Sequence, residues 1–374
     1  MNWIALFFSI LFAIAYTSTA PDAVNVSEWP TFSLPINPKP LTNVKKYALN
    51  NVHAPETNII TPNHFYSLTE DGAIKEINDL GQSKTVCTVG GRPLGGAYAP
   101  LESTSTTTIL YVAEITKGLL RVTLSHLPST PPIITLVSFL NPLTNLPILY
   151  ADDVTISSKG IVYFTDASNL PVPLLPGSVF KRDTLGTSIK DGIRGLKSGC
   201  ILSYDPFKKA TRVVKQGIWF ANGIAVEGGG KYLLVCETFG ARVLKVSIEE
   251  DTFGETEVFA EGVFPGYVDG LSFGEGGKVH VAVPSPAPKA VVLLSKIKPI
   301  WLNTLLRSFI LTLPPLIKEV PYGCFVTLSE KGEVIETRVD YKGEEANFIT
   351  SVEERDGKIY LGSLKTNFIG VVDA

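Results

Sequence analysis

A phrase of about twenty residues recurs along this chain, and the recurrence limits the folds open to it. "YADDVTISSKGIVYFTDAS" (150–168) is a polar pair, a short β-type run, a Gly-containing turn and a second run that ends in an acid. The same phrase returns as "FANGIAVEGGGKYLLVCETFGARVLKVSI" (220–248), "VDGLSFGEGGKVHVAVPS" (268–285) and "ITSVEERDGKIYLGSLKTNFIGVV" (349–372). Looser copies lie at "APETNIITPNHFYSLTEDGAIKEI" (54–77) and "RPLGGAYAPLESTSTTTILYVAEITKGLLRV" (92–122), six in all. Units of three or four short strands joined by Gly-rich turns cannot bury both faces alone and must stack on their neighbours, which predicts an all-β, six-bladed β-propeller. The content of 45% hydrophobic and 18% charged residues, with 32 Gly and 26 Pro, suits a turn-rich folded chain and excludes a disordered one. The WD dipeptide of WD repeats is absent. The last copy stops at its third strand, so the segment 43–50, "NVKKYALN", is expected to supply the missing outer strand and close the ring.

The repeat also assigns positions. The first run of each unit should be the innermost strand, so the residue just before it opens on one end of the central channel. Glu56, Asp152, Asn222 and Asp269 hold that position in units one, three, four and five. Converging carboxylates repel one another and call for a cation, and hard oxygen ligands without His or Cys suit Ca²⁺, with Mg²⁺ or Mn²⁺ as substitutes. Two units are swollen, at 169–198 and 285–322, both between the second and third strands. Strand alternation returns those loops to the end where the innermost strand begins, so both are expected to roof the oxygen cluster.

Within the second insertion, "IWLNTLLRSFILTLPP" sets Trp301, Leu302, Leu305, Leu306, Phe309, Ile310 and Leu313 on one helical face before Pro314 and Pro315 stop it. The insertions carry net charges of +5 − 2 = +3 (169–198) and +5 − 1 = +4 (285–322), in a chain whose total is 33 − 36 = −3. Two uses fit: a lid packed on the channel, or an interfacial helix making peripheral membrane contact through 296–318. The overall balance gives no nucleic-acid footprint.

The N-terminus has an apolar run from Trp3 to Tyr16 followed by small residues. It is shorter than the roughly 20 residues of a membrane span, so 1–20 reads as a signal peptide or a retained anchor and the protein as one of the secretory pathway. Asn25 begins the single Asn-X-Ser sequon, consistent with a glycosylated lumenal chain; 21–42 is an N-terminal extension and 43–374 the propeller. Cys87, Cys200, Cys236 and Cys324 permit one or two disulfides or four buried thiols, and their spacing does not suit zinc.

The stretches "RPLGG", "YVAEITKGLLRV", "YADDVTISSKGIVYFTDAS", "GCILSYDP", "WFANGIAVEGGGKYLLVCET", "VFPGYVDGL" and "DGKIYLGSL" resemble the strictosidine synthase-like family, which includes the adipocyte plasma membrane-associated proteins and lies within the gluconolactonase and paraoxonase group of six-bladed propellers. The resemblance implies that a Glu, two Asn and an Asp bind a catalytic ion, matched here by Glu56, Asp152, Asn222 and Asp269, with Asp152 replacing an Asn. It implies a calcium-dependent hydrolase of lactones or aryl esters, in which a carboxylate, Asp269 first and Asp152 second, serves as base. Asp153 and His53 are expected close behind the ligands, and His280 in the core or channel wall. Plant strictosidine synthases rely on an acid in the last blade; here Thr350 or Ser351 stands where that acid is expected, which disfavours amine–aldehyde condensation. The other functional class in view is a non-catalytic propeller that binds a lipid or protein partner.

Overall fold

A computed structural model describes residues 26, 28–179, 181–298, 300–311 and 320–374. The signal or anchor segment 1–20, Asn25, Leu313, Pro314 and Pro315 lie outside the described residues. The described strands form the expected six-bladed propeller, with blades spanning 58–88, 93–138, 151–218, 221–261, 271–340 and 349–373, each counted from its innermost strand. Lys45–Tyr47 is the outermost strand of blade six, antiparallel to Ile369–Asp373, so the ring closes with a strand drawn from the far end of the chain. Just before it, Pro38–Pro40 adds a fifth, parallel strand to blade five beside Val334–Asp340. An edge strand suits its two prolines, which lack N–H groups for a ladder. The extension is therefore a strap over two blades, and it begins further back: Ser33 N donates to Phe264 O at 3.0 Å and Trp29 meets Trp219 edge-on.

The core lies between blades. One apolar cluster joins Leu234 and Val243 of blade four to Val281 and Val326 of blade five, and another joins Tyr111 and Leu119 of blade two to Val154 and Phe164 of blade three. Blades of four strands thus bury their faces only by stacking. The four cysteines are buried free thiols in blades one, three, four and five, which leaves the disulfide alternative without support among the described residues.

The innermost strands crowd the axis. A Cβ on Gly95 would stand 2.4 Å from Asp153 Cα, one on Gly223 2.5 Å from Gly270 Cα, and one on Gly270 2.3 Å from Thr350 O. The glycines of "LGG", "NG" and "DG" are the residues that permit this approach. Four of the six innermost strands carry an irregular register at the same height, at Pro93/Gly96, Ala151/Val154, Ala221/Ile224 and Ile349/Ser351. Such bulges re-aim side chains, here toward the channel.

The acid that ends the second run of a unit has a different task. Glu114, Asp166 and Glu237 are buried and accept from Arg92 N (2.7 Å), Tyr150 N (3.1 Å) and Trp219 N (2.8 Å), which fixes the backbone leading into three innermost strands.

Both insertions fall between second and third strands, as expected. The first carries α1 (Thr184–Arg194), capped by Asp183 and ended by Gly195 in the left-handed region. The second carries α2 (Lys289–Leu294) and α3 (Ile300–Leu311). The insertions meet where Arg307 of α3 donates to Ile193 O (2.7 Å) and Arg194 O (3.0 Å), placing a cation on the C-terminal carbonyls of α1. The side of α3 that is buried is its polar one, Asn303, Arg307 and Ser308, and Arg307 is only 1% exposed. The amphipathic helix read from the sequence thus buries its polar side, and the hydrogen-bonding demand of the Arg307 guanidinium accounts for that orientation.

Glu114 Oε2 also accepts from Thr116 N (3.2 Å) and Lys117 N (2.8 Å). Glu114→Ala strands the buried Arg92 N–H and releases the two part-buried ones, and is expected to lower the unfolding free energy by about 2 kcal/mol, readable as a shift in urea midpoint at unchanged slope.

Candidate channel site

The channel along the propeller axis is a cavity of ≈ 260 Å³ with three levels. At the end beneath the insertions stand Glu56, Asp152, Asn222 and Asp269, all no more than 9% exposed, with Leu94 and Thr350 completing the circle. Midway, Thr155, Ala225, Ser272 and Glu353 share one height, facing Tyr163, Leu234, His280 and Tyr360 of the adjoining strands. Toward the far end the wall turns apolar with Ile60, Val226 and Phe273, and Tyr98 among them. The four residues expected at the mouth thus share one end of one cavity, because each sits at the start of an innermost strand, Asp152 and Asn222 within a bulge there.

Arg92, missing from the sequence expectation, is buried behind the ring, two residues before Leu94 of blade two. Its Nη2 stands 2.9 Å from Glu56 Oε2 and its Nη1 3.1 Å from Ala54 O. The signal was present in "RPLGG", which leads into blade two; a search for repeated oxygen ligands passes over a cation there.

The paired acids of "YADDV" divide their work. Asp152 faces the cavity. Asp153 clasps two blades: Oδ1 accepts from Val154 N (2.8 Å) and Oδ2 from Ile224 N of blade four (2.9 Å). Thr350 and Ser351, at the position of the expected last-blade acid, both donate to Glu56 O, at 3.3 and 2.8 Å, and tie blade six to blade one. His53 is exposed, its carbonyl accepting from Glu70 N. His280 is buried in the wall between blades, its Nε2 2.8 Å from Glu354 Oε2 and its Nδ1 3.0 Å from Thr327 Oγ1.

Burial sets the electrostatics. It raises Asp152 well above the carboxylate range, reinforced by the charges of Asp269 and Glu56. Asp269 is likewise raised by burial and then by Glu56, while a hydrogen bond from Asn222 pulls it back. Glu56 is pushed up to about 7 by burial against the opposing charge of Arg92. Asp153 rises to about 6, held down by the two backbone donors. Glu353 rises to about 8 through burial and the charge of Asp153. One further wall residue was not foreseen: Asn58 is 2% exposed and neither Nδ2 nor Oδ1 has a hydrogen-bond partner.

Three buried carboxylates with one guanidinium leave a formal charge of −2 when ionised, and the donors are hard oxygens, which fits a divalent cation in charge and chemistry. Among the described residues, however, no three His, Cys, Asp or Glu side chains converge to the distances of a formed metal site.

Solved propellers share this fold. A gluconolactonase from Xanthomonas campestris superposes with a TM-score of 0.59 at 10% identity, covering 94% of this chain and 98% of that one. The calcium-binding protein regucalcin from Agrobacterium tumefaciens gives 0.59 at 11%, covering 90% and 95%; at these identities the likeness is one of fold. The family model for strictosidine synthase matches residues 152–251, which hold Asp152, Asp153 and Asn222. The strictosidine synthase-like protein 10 of Arabidopsis thaliana is 29% identical over 294 residues, covering 76% of this chain and 70% of its own. The adipocyte plasma membrane-associated protein of Gallus gallus is 26% identical over 369 residues, covering 93% and 82%. The chain is thus similar to the strictosidine synthase-like and adipocyte plasma membrane-associated proteins, the resemblance that its motifs carry.

Glu353 tests the burial of the channel wall. Its pKa is raised from 4.5 to about 8, so the folded state keeps a proton that the unfolded chain releases, and stability falls as pH rises through that window. Glu353→Gln removes this contribution. The variant should match the parent below the window and exceed it in denaturation midpoint at the alkaline end, with chelator present throughout.

Proposed function

We propose that the insertion-side end of the channel is a cation-dependent hydrolytic site for lactones or aryl esters. The observation that carries this reading is the set of three buried carboxylates and Asn222 at one end of one cavity, with Arg92 as the single compensating cation among them. A divalent ion, calcium by preference and magnesium or manganese as substitutes, held by Asp152, Asn222 and Asp269 with Glu56 shared between it and Arg92, would supply Lewis acidity toward a carbonyl oxygen. Asp269 is the first candidate to take the proton of the attacking water, since the amide of Asn222 already hydrogen-bonds and orients its carboxylate. Asp152 is the second. Asp153 holds the bulge that aims Asp152 inward, and Arg92 keeps Glu56 from adding its full charge to the cluster. The unpaired amide of Asn58 and the protonated Glu353 offer donors and acceptors to the polar part of a small ligand, and the apolar far end suits its hydrocarbon part.

A non-catalytic propeller that binds a lipid or protein partner is the competing reading. It is favoured by the Arg92–Glu56 pair, which neutralises one expected ligand without any ion. Condensation of an amine with an aldehyde is the least favoured, because Thr350 and Ser351 spend their hydroxyls on Glu56 O.

The deciding assay is a panel of lactones and phenyl esters with calcium and with chelator. Turnover that chelator abolishes and calcium restores is expected. Asp269→Asn should keep the fold and lose roughly 10²-fold or more in rate, the scale of a lost general base. Because a cation binds only the folded site, calcium should also raise the melting temperature by mass action. A melting curve indifferent to both calcium and chelator, with no turnover of any ester, leaves the binding propeller as the function.

A further inference from the structure

The insertions present an outer face that their own packing does not explain. α3 docks through Asn303, Arg307 and Ser308, so the leucines on its opposite side, Leu302, Leu305 and Leu306, are only half-buried. Around them Leu293 (66%), Ile300 (48%), Trp301 (62%) and Val320 (57%) are exposed, and the first insertion adds Val179 (87%). Exposed lysines rim this apolar ground: Lys289, Lys296 and Lys298 beside α2 and α3, and Lys190 on α1. An acidic protein has collected both its unburied aromatic helix and a local cationic excess at one end.

A third observation concerns the N-terminus. A Cβ on Gly195, at the end of α1, would stand 2.4 Å from Val26 Cγ2, and the Arg307 guanidinium lies 5.6 Å over the Trp29 ring. The chain therefore reaches the propeller at the insertion face. Only residues 17–25 separate Val26 from the apolar run Trp3–Tyr16, and nine extended residues span at most about 30 Å. An apolar run inserted in a bilayer would hold this same face against the lipid.

We propose that the insertion face is a membrane-docking surface that rests on a bilayer rich in anionic lipid, with Trp301, Leu293 and Ile300 entering the interface and Lys289, Lys296 and Lys298 meeting phosphate headgroups. The composition is that of an interfacial helix, with an apolar aromatic face flanked by lysines. The pose sets the acid-lined end of the channel nearest the bilayer and the apolar-walled end away from it. It stands independently of the hydrolytic reading, because none of these residues lines the channel.

The test uses the full chain reconstituted with vesicles of phosphatidylcholine, with or without phosphatidylserine. Trp301→Cys carries an environment-sensitive fluorophore; Lys331→Cys, in the turn after the third strand of blade five and so at the opposite end, carries the same label as control. Expected is quenching of the label at 301 by doxyl-labelled lipid in serine-containing vesicles, lost when phosphatidylserine is omitted, in high salt, or in the triple variant K289Q/K296Q/K298Q. The label at 331 should stay unquenched throughout. Three results overturn the proposal: no quenching at 301 on either vesicle, equal quenching at both positions, or a label at 301 already shielded without lipid in a concentration-dependent way, which would mark the face as a protein–protein contact.

Discussion

Six innermost strands must converge on one axis, and their crowding governs most of what this propeller does elsewhere. At the narrowest height the strands approach so closely that Gly95, Gly223 and Gly270 have no room for a side chain. Four of the strands also bulge there, and in blades three and four the bulge holds the residue that lines the channel, Asp152 and Asn222. Crowding thus produces a ring of inward-facing positions whether or not chemistry uses them. This chain fills the ring with Glu56, Asp152, Asn222 and Asp269.

The carboxylates near that ring fall into two populations with different physics. Glu114, Asp166 and Glu237 are buried and Asp153 half-buried, but all four receive backbone N–H groups, so each stabilises chain segments that would otherwise leave donors unpaired. Asp152, Asp269 and Glu56 are buried together, and their mutual repulsion and desolvation are offset only by Arg92 and Asn222. The first population is satisfied by the fold itself; the second keeps its repulsion, which the proposed cation would offset. That asymmetry ties the proposed function to this end of the channel.

At the same end, one buried arginine reverses the expected behaviour of a helix. Arg307 satisfies the last carbonyls of α1 and, with Asn303 and Ser308, draws the polar side of α3 inward. The apolar side is then left outward next to the point where the N-terminal segment arrives. A guanidinium desolvated without acceptors costs far more than half-exposed leucines, so the helix turns on its charge.

The sequence alone determined the number of blades, the closing strand near 43–50, the location of both insertions and the spoke positions of Glu56, Asp152, Asn222 and Asp269, because each follows from a repeat whose period strand alternation imposes. Its contiguous motifs carry the resemblance to the strictosidine synthase-like proteins. It did not separate Asp152, which faces the cavity, from Asp153, which clasps Ile224, because adjacent identical residues differ only in how a bulge aims them. Arg92 and Asn58 were also decided by tertiary structure: a cation or an amide beside the channel has meaning only once its neighbours from other blades stand beside it. The orientation of α3 was hidden for the same reason, since the helix's own periodicity records which side is apolar, whereas the side that is buried depends on the α1 carbonyls more than a hundred residues earlier in the chain, brought within reach of Arg307 only by the fold.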